Sequence, residues 1–325
     1  MADLTVLKGS AAGPLARLVD DYLANRRAQG LSRKTIANYE LALQRVLLPW
    51  IERQGIESIE KLTSRDLDRL AAELLDQGGA RGELSRASAW TYMRNIKLFF
   101  EWARAELAAE GTEVKAQATL PKLGKPLVEI LERDEIQRIE DATDSERDKL
   151  LVRVLADTGL RVGELVKLRL RDVVESNKQY HLRVAGRSQG GGAKGDKGRL
   201  VGLQPQLARR LRRYIDRQRP QDADTDRIFV SRRRDRRTGA YEPLTESGVQ
   251  QLVRELGQRA GIAKRVHPHV FRHSAATHML RRGMNPLLVS KVLGHESLAM
   301  ITRTYSHLTV DDAHEALMAA LRADG

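Results

Sequence analysis

The chain has 325 residues, no cysteine and a formal net charge of +13. The missing cysteines exclude disulfides, thiolate nucleophiles and cysteine-held zinc together, and the longest apolar runs, such as Leu150 to Leu155 with Arg153 inside it, are far too short to span a membrane. With length enough for two domains, no signal-peptide pattern in MADLTVLKGS and a large excess of cations, the expectation is a cytoplasmic protein whose partner is a polyanion, nucleic acid before membrane.

In chain order, residues 1–13 read as an N-terminal tail and 14–110 as a helical module. Leu15, Leu18, Val19, Tyr22 and Leu23 recur at helical spacing, and that helix stops at Gly30. Ser32 caps a second helix with the stripe Ile36, Tyr39, Leu43, Val46 and Leu47. Thr63 and Asp66 form a capping arrangement before Leu67, Leu70, Ala71 and Leu74. After the Gly78 to Gly82 loop a fourth helix carries Trp90, Ile96, Phe99, Phe100 and Trp102. Short amphipathic helices with brief loops predict a small bundle with its aromatics in the core. Arg26, Arg27, Arg33, Lys34, Arg86, Arg94 and Lys97 fall on the polar sides or helix starts, and with the net charge they predict a face that meets a nucleic-acid backbone.

Residues 111–127, which begin GTEVKAQATLPKLGKP, show little periodicity and predict an extended linker with a reach of about 50 Å. The second domain spans 128–325. Helices are expected over 132–142 and from Ser145 to Thr158, the latter packing Leu150, Leu151, Val154 and Leu155 and ended by Gly159. Arg161 opens the next helix, where unpaired N–H groups favour an anion, and Glu164 lies three residues on, able to hold the arginine or to form an ordinary surface pair with it. Residues 180–185 and 199–203 are strand-like, joined by a glycine-rich tip that carries Lys194 and Lys197 but lacks a P-loop pattern. A basic helix over 206–217, a strand at 228–230 and the arginine run SRRRDRRTG follow. Thr245 opens an amphipathic helix. Another runs from His269 to Arg282, and one more from Pro286 to Leu293 ends at Gly294-His295. The fold class is therefore mainly α with a small β-hairpin or sheet (α+β).

Seven of the eight histidines lie in the last sixty residues, beside Arg272 and Tyr305. Imidazoles, guanidinium groups and one phenol suit chemistry on a phosphate. Arginine forks match phosphate oxygens, histidine moves protons near neutrality and a phenol can attack. His269 and His273 have helix-compatible zinc spacing, yet neither a glutamate of the HExxH type nor a cysteine accompanies them. No metal and no cofactor is expected. His273 and His278 read as residues that buttress their helix, and Val310, Ala313, Leu317 and Leu321 as the stripe of a C-terminal docking helix.

TGLRVGEL, AKGDKGRLVGL, HPHVFRHSAATHML and VLGHESLAMITRTYSHL, in that order, resemble the signature boxes of the tyrosine recombinases, which include phage integrases, Xer-type resolvases and transposon recombinases. The preceding bundle resembles the family's core-DNA-binding domain. The resemblance implies Arg161 as first catalytic arginine with Glu164 behind it, and Lys194 as hairpin lysine with Lys197 as the other choice. It implies His269 and Arg272 as the histidine-x-x-arginine pair, His295 as the second histidine and Tyr305 as nucleophile. The sequence departs from the usual pattern in extra glycines before Lys194, in Gly202 where proline is common, and in a His295 to Tyr305 interval one residue longer.

The activity so implied is site-specific cleavage and rejoining of DNA through a 3′-phosphotyrosine link, in integration, transposition or dimer resolution. A relaxing topoisomerase and a non-catalytic DNA-binding regulator are the alternatives. Implied partners are double-stranded DNA with an inverted-repeat core site and further protomers, in a homo- or hetero-tetramer on two DNA sites. With only a short stretch before Leu15, the expectation is a simple recombinase without an arm-binding domain. Expected DNA contacts are Arg33, Lys34, Arg86, Arg94, Lys97, Lys197, Arg199 and Arg233.

Overall fold

The computed structural model describes residues 13–76, 84–123, 129–186, 198–294 and 318. Lys194, Lys197, His295, Tyr305 and most of the stretch expected to form a C-terminal helix lie outside the described residues. The chain divides into two units, Met1–Pro126 and Leu127–Gly325. Among the described residues no helix is long and apolar enough to cross a membrane.

The first unit is helical. Its elements are α1 (Pro14–Ala28), α2 (Arg33–Ala42), α3 (Leu48–Arg53), α4 (Ser64–Asp76) and α5 (Arg86–Ala108). The caps sit where short polar side chains precede apolar periodicity. Ser32 Oγ accepts from Thr35 N at 3.2 Å, Ser85 Oγ from Ser88 N at 3.1 Å, and Thr63 and Asp66 cap each other reciprocally. The single helix expected from Ser32 onward is interrupted by a wide turn, Leu43–Leu47, before α3. Pro49 has no N–H to give the carbonyl four residues back, so the α-helical ladder cannot pass through it unchanged. Tyr22 packs edge-on against both Tyr39 and Phe99, each ring centroid 5.5 Å away, and Trp50, Phe99 and Phe100 are buried, so these aromatics form core.

The segment expected to be a free linker is partly fastened down. Val114, Ala116 and Ala118 are buried against the bundle core, and Arg104 donates to the carbonyls of Val114 (3.1 Å) and Ala116 (2.7 Å). Gln117 N adds a bond to Ser64 Oγ. The alternation V-x-A-x-A is a strap, and the reach of any linker shrinks accordingly.

The second unit is mainly helical with a three-stranded antiparallel sheet. Helices α6 (Arg133–Asp141) and α7 (Glu146–Thr158) precede the short α8 (Val162–Leu165). The sheet follows, β1 (Val173–Ser176), β2 (Gln179–Val184) and β3 (Arg199–Gly202), in that spatial order. β1 and β2 form a hairpin whose Asn177 and Lys178 both have positive φ, the geometry of a primed two-residue turn. The expected strand at 228–230 is not one. Ile228, Phe229 and Val230 are buried, but only isolated bridges form, and Val230 faces Pro243, which has no N–H to continue a ladder. Further helices among the described residues are α9 (Pro205–Arg213), α10 (Glu246–Arg259), α11 (Pro268–Arg281) and α12 (Pro286–Leu293). The core gathers Leu150, Leu151, Val154 and Leu155 of α7 with Leu182, Val201, Leu207, Val253 and Phe271.

Candidate active site

α7 ends at Gly159, whose left-handed φ of 62° lets the chain turn directly into Arg161 and α8. A Cβ on Gly159 would run into Leu293 Cδ2 and lie 3.2 Å from Ala275 Cβ, so the absence of a side chain allows α7, α11 and α12 to meet here. Arg161 and Arg272 are brought to this junction from opposite sides.

α12 terminates at Gly294 (φ 65°), and the last carbonyls of a helix have no partner within it. Three guanidinium groups supply the donors. Arg199 Nε donates to Val292 O at 2.7 Å, Arg272 Nη2 to Leu293 O at 2.7 Å and Arg161 Nη2 to Gly294 O at 3.0 Å. A helix C-terminus carries partial negative charge, so cations are favoured there. Arg272 is anchored a second time, from Nη1 to Gly159 O at 2.7 Å, and is only 5 % exposed.

Glu164 is the counter-charge. Its side chain is 0 % exposed, whereas that of Arg161 is 21 % exposed, so this is not a surface ion pair. Oε1 accepts from Arg161 Nη1 and from Arg199 Nη1, each at 3.0 Å; Oε2 accepts from Arg161 N at 2.9 Å and Arg199 Nη2 at 2.8 Å. Burial by itself would raise the Glu164 pKa, but the hydrogen bonds and charge of Arg199, with those of Arg161, outweigh it and hold the carboxyl below its ordinary value. Arg161, Arg199, Arg272 and an ionised Glu164 by themselves sum to two positive charges, which suits a group that gains negative charge as it reacts.

His269 is exposed in the first turn of α11, one turn before Arg272. Its ring centroid lies 6.4 Å from that of His267, whose pKa is lowered by burial and by the charges of His269 and Arg265. His278 Nε2 bonds Leu131 O at 2.9 Å, and Ser274 Oγ accepts from Leu131 N at 2.7 Å, so this face of α11 fastens the segment leading into α6. Burial pushes the phenols of Tyr22 and Tyr214 up to about 12, which makes both poor nucleophiles near neutrality.

Of the expected DNA contacts, Arg33, Lys34, Arg86 and Arg94 are exposed, Arg94 resting over the Trp90 ring at 6.0 Å, and Lys97 is half-buried. Arg233 is exposed in a loop with a built frame. Asp235 Oδ1 caps Arg237 N and Thr238 N, and Arg234 Nη1 donates to Gly239 O at 2.7 Å. Arg199 is different. Its side chain is 10 % exposed and its fork is committed to Glu164 and Val292 within the protein. Charge and position along a strand cannot reveal a partner 35 residues earlier in the chain.

Residues 129–311 match the phage integrase family, and residues 19–107 match the family's N-terminal SAM-like domain. Tyrosine recombinase XerD of Bifidobacterium longum is 30 % identical over 319 residues, covering 93 % of this chain and 96 % of that protein. The fold is shared with XerH bound to its palindromic difH substrate in a post-cleavage complex (TM-score 0.68, 20 % identity, 92 % of this chain and 83 % of that one). It is likewise shared with a lambda integrase tetramer bound to a Holliday junction (TM-score 0.66, 20 % identity, 89 % and 76 %). A match that spans both units, together with the arginine junction, makes this chain a member of the phage integrase family, a tyrosine recombinase and DNA strand-transferring enzyme.

Proposed function

We propose that this recombinase cleaves and rejoins double-stranded DNA at a site built on an inverted-repeat core, with Tyr305 as nucleophile. The observation that carries the reading is the convergence of Arg161 and Arg272 on the adjacent carbonyls of Gly294 and Leu293, immediately before His295. Two forks from distant parts of the chain clamp the non-bridging oxygens of one phosphate as their charge grows, and His295 adds a hydrogen bond. The positive field lowers the cost of forming the Tyr305 phenolate, and His269, one turn from Arg272, accepts its proton. Lys194, or Lys197 on the same tip, protonates the departing 5′-oxygen, which leaves as a hydroxyl. The 3′-phosphotyrosine link keeps the phosphodiester energy, so rejoining needs no nucleotide, and side-chain cations supply the positive charge.

Arg33, Lys34, Arg86, Arg94 and Lys97 on the first unit, and Arg233 on the second, contact the phosphate backbone. Strand exchange requires two DNA sites, each engaged by two protomers, in a homo- or hetero-tetramer. The Bifidobacterium relative, alike over nearly its whole length, supports the assignment of site-specific recombination.

The test is a nicked suicide duplex whose sequence is first selected from a randomised pool with the wild-type protein. Wild type is expected to form a covalent adduct that survives denaturation, and Tyr305→Phe none. An undiminished adduct with Tyr305→Phe, or no adduct with wild type, would end this reading.

A further inference from the structure

Arg199 takes no part in the cleavage steps above. It leaves β3 into the junction of α8 and α12 and makes a three-way bond, with Nη1 and Nη2 on the two oxygens of Glu164 and Nε on Val292 O. We propose that Arg199 is a positioning residue for the phosphate clamp, fixing at once how Arg161 is presented and where the end of α12 lies. The proposal rests on the reading of Arg161 and Tyr305 as clamp and nucleophile.

A carboxylate offers about four acceptor sites, and Glu164 fills them with two bonds from the Arg199 fork, one from Arg161 N and one from Arg161 Nη1. Because Arg199 holds the bidentate position, Arg161 reaches the carboxylate through a single side-chain N–H. Its second such bond goes to Gly294 O. A guanidinium has five N–H donors, so most of the Arg161 fork stays available to a phosphate. Without Arg199 the buried carboxylate would draw Arg161 onto itself fork to fork, the geometry such pairs prefer. Those donors would then turn away from the substrate.

A second observation concerns the other end of the bond. A Cβ on Gly294 would lie 2.9 Å from Arg199 Nη1 and 3.0 Å from Cζ, so the guanidinium is seated directly against the glycine that ends α12. Gly294 also has a left-handed φ, which independently favours glycine. Arg199 is therefore fitted against Gly294 at the end of α12, as well as holding the partner of Arg161.

The experiment uses the full chain and the selected suicide duplex, with Arg199→Met, Arg199→Lys and the double variant Arg199→Met/Glu164→Gln. Single-turnover cleavage is measured at saturating protein and corrected for folded fraction, and affinity is measured separately by anisotropy. Arg199→Met is expected to slow cleavage on the order of 100-fold, with affinity and its salt dependence unchanged. Arg199→Lys keeps the charge but not the fork, so it stays slow. Removing the carboxylate charge in the double variant releases Arg161, and cleavage becomes faster than in Arg199→Met alone, an effect that lost stability cannot produce.

Normal cleavage in Arg199→Met, or weaker binding with a shallower salt slope at an unchanged saturated rate, overturns the proposal. So does a double variant no faster than the single. If Arg199→Met does not fold, Arg199→Lys is compared with Arg199→Lys/Glu164→Gln under the same criteria. Failure of wild type to form any adduct would instead defeat the reading of the site itself, and the positioning role with it.

Discussion

Arg272 holds a permanent charge in the interior of the second unit, and its two carbonyl partners, Gly159 and Leu293, stand at the ends of different helices. A lysine cannot span both positions, so Arg272→Lys is expected to reduce adduct formation by roughly 100- to 1000-fold. Arg272→Ala also strips two carbonyls, Gly159 O and Leu293 O, of their donor, and urea denaturation should show a loss of at least about 1–3 kcal/mol. Glu164 gives a prediction in pH. A carboxyl whose folded-state pKa lies below its unfolded value contributes stability that is fully present above the unfolded value, near 4.3 for glutamate. That contribution disappears as pH falls through the lower, folded value. Melting temperatures of wild type and Glu164→Gln should therefore differ most near neutrality and converge on acidification. A constant offset down to pH 3 would contradict the depressed pKa.

At the scale of elements, the junction of α7, α11 and α12 depends on the missing side chain at Gly159. Gly159→Ala combines a left-handed φ with a collision against Leu293, and is expected to cost about 1–3 kcal/mol and lower the melting temperature by several degrees. In the first unit, Arg104→Ala removes the donors that hold Val114 and Ala116, and limited trypsin digestion should then cut faster after the exposed Lys115. The caps at Ser32 and Thr63 were readable because a hydroxyl before an apolar stripe has few other uses. β1 was not readable. Its turn is Asn177-Lys178, whereas the familiar signal for that turn ends in glycine, and four residues are too few for a clear alternation. The buried run at 228–230 misled for the opposite reason, since apolarity reports burial and not pairing. The strap was within reach, because Val114, Ala116 and Ala118 alternate like a strand against a surface.

For the whole molecule, the net charge of +13 predicts steep salt dependence of binding. A protein that neutralises six to ten phosphates loses roughly 1000- to 100,000-fold in affinity between 50 and 200 mM salt, and fluorescence anisotropy should find a fall of that order here. A flat profile would remove the backbone-contacting face from the account. Arg161 and Arg272 stand out in the sequence because the boxes around them resemble those of the tyrosine recombinases, whereas the chemistry of Arg161 and Glu164 alone leaves a surface pair open. What could not be picked was the company they keep, since a bond from β3 to α8, or from α11 to the end of α12, is fixed only when the chain closes on itself. On the α12 side, the oxygens that steady the three arginines belong to the main chain, and every amino acid brings one. Recoding Val292 or Leu293, within what packing allows, leaves the aim of the cations unaltered. Natural drift and deliberate redesign can thus work on the outer surface of α12 without disarming the centre, provided the path of its backbone is kept.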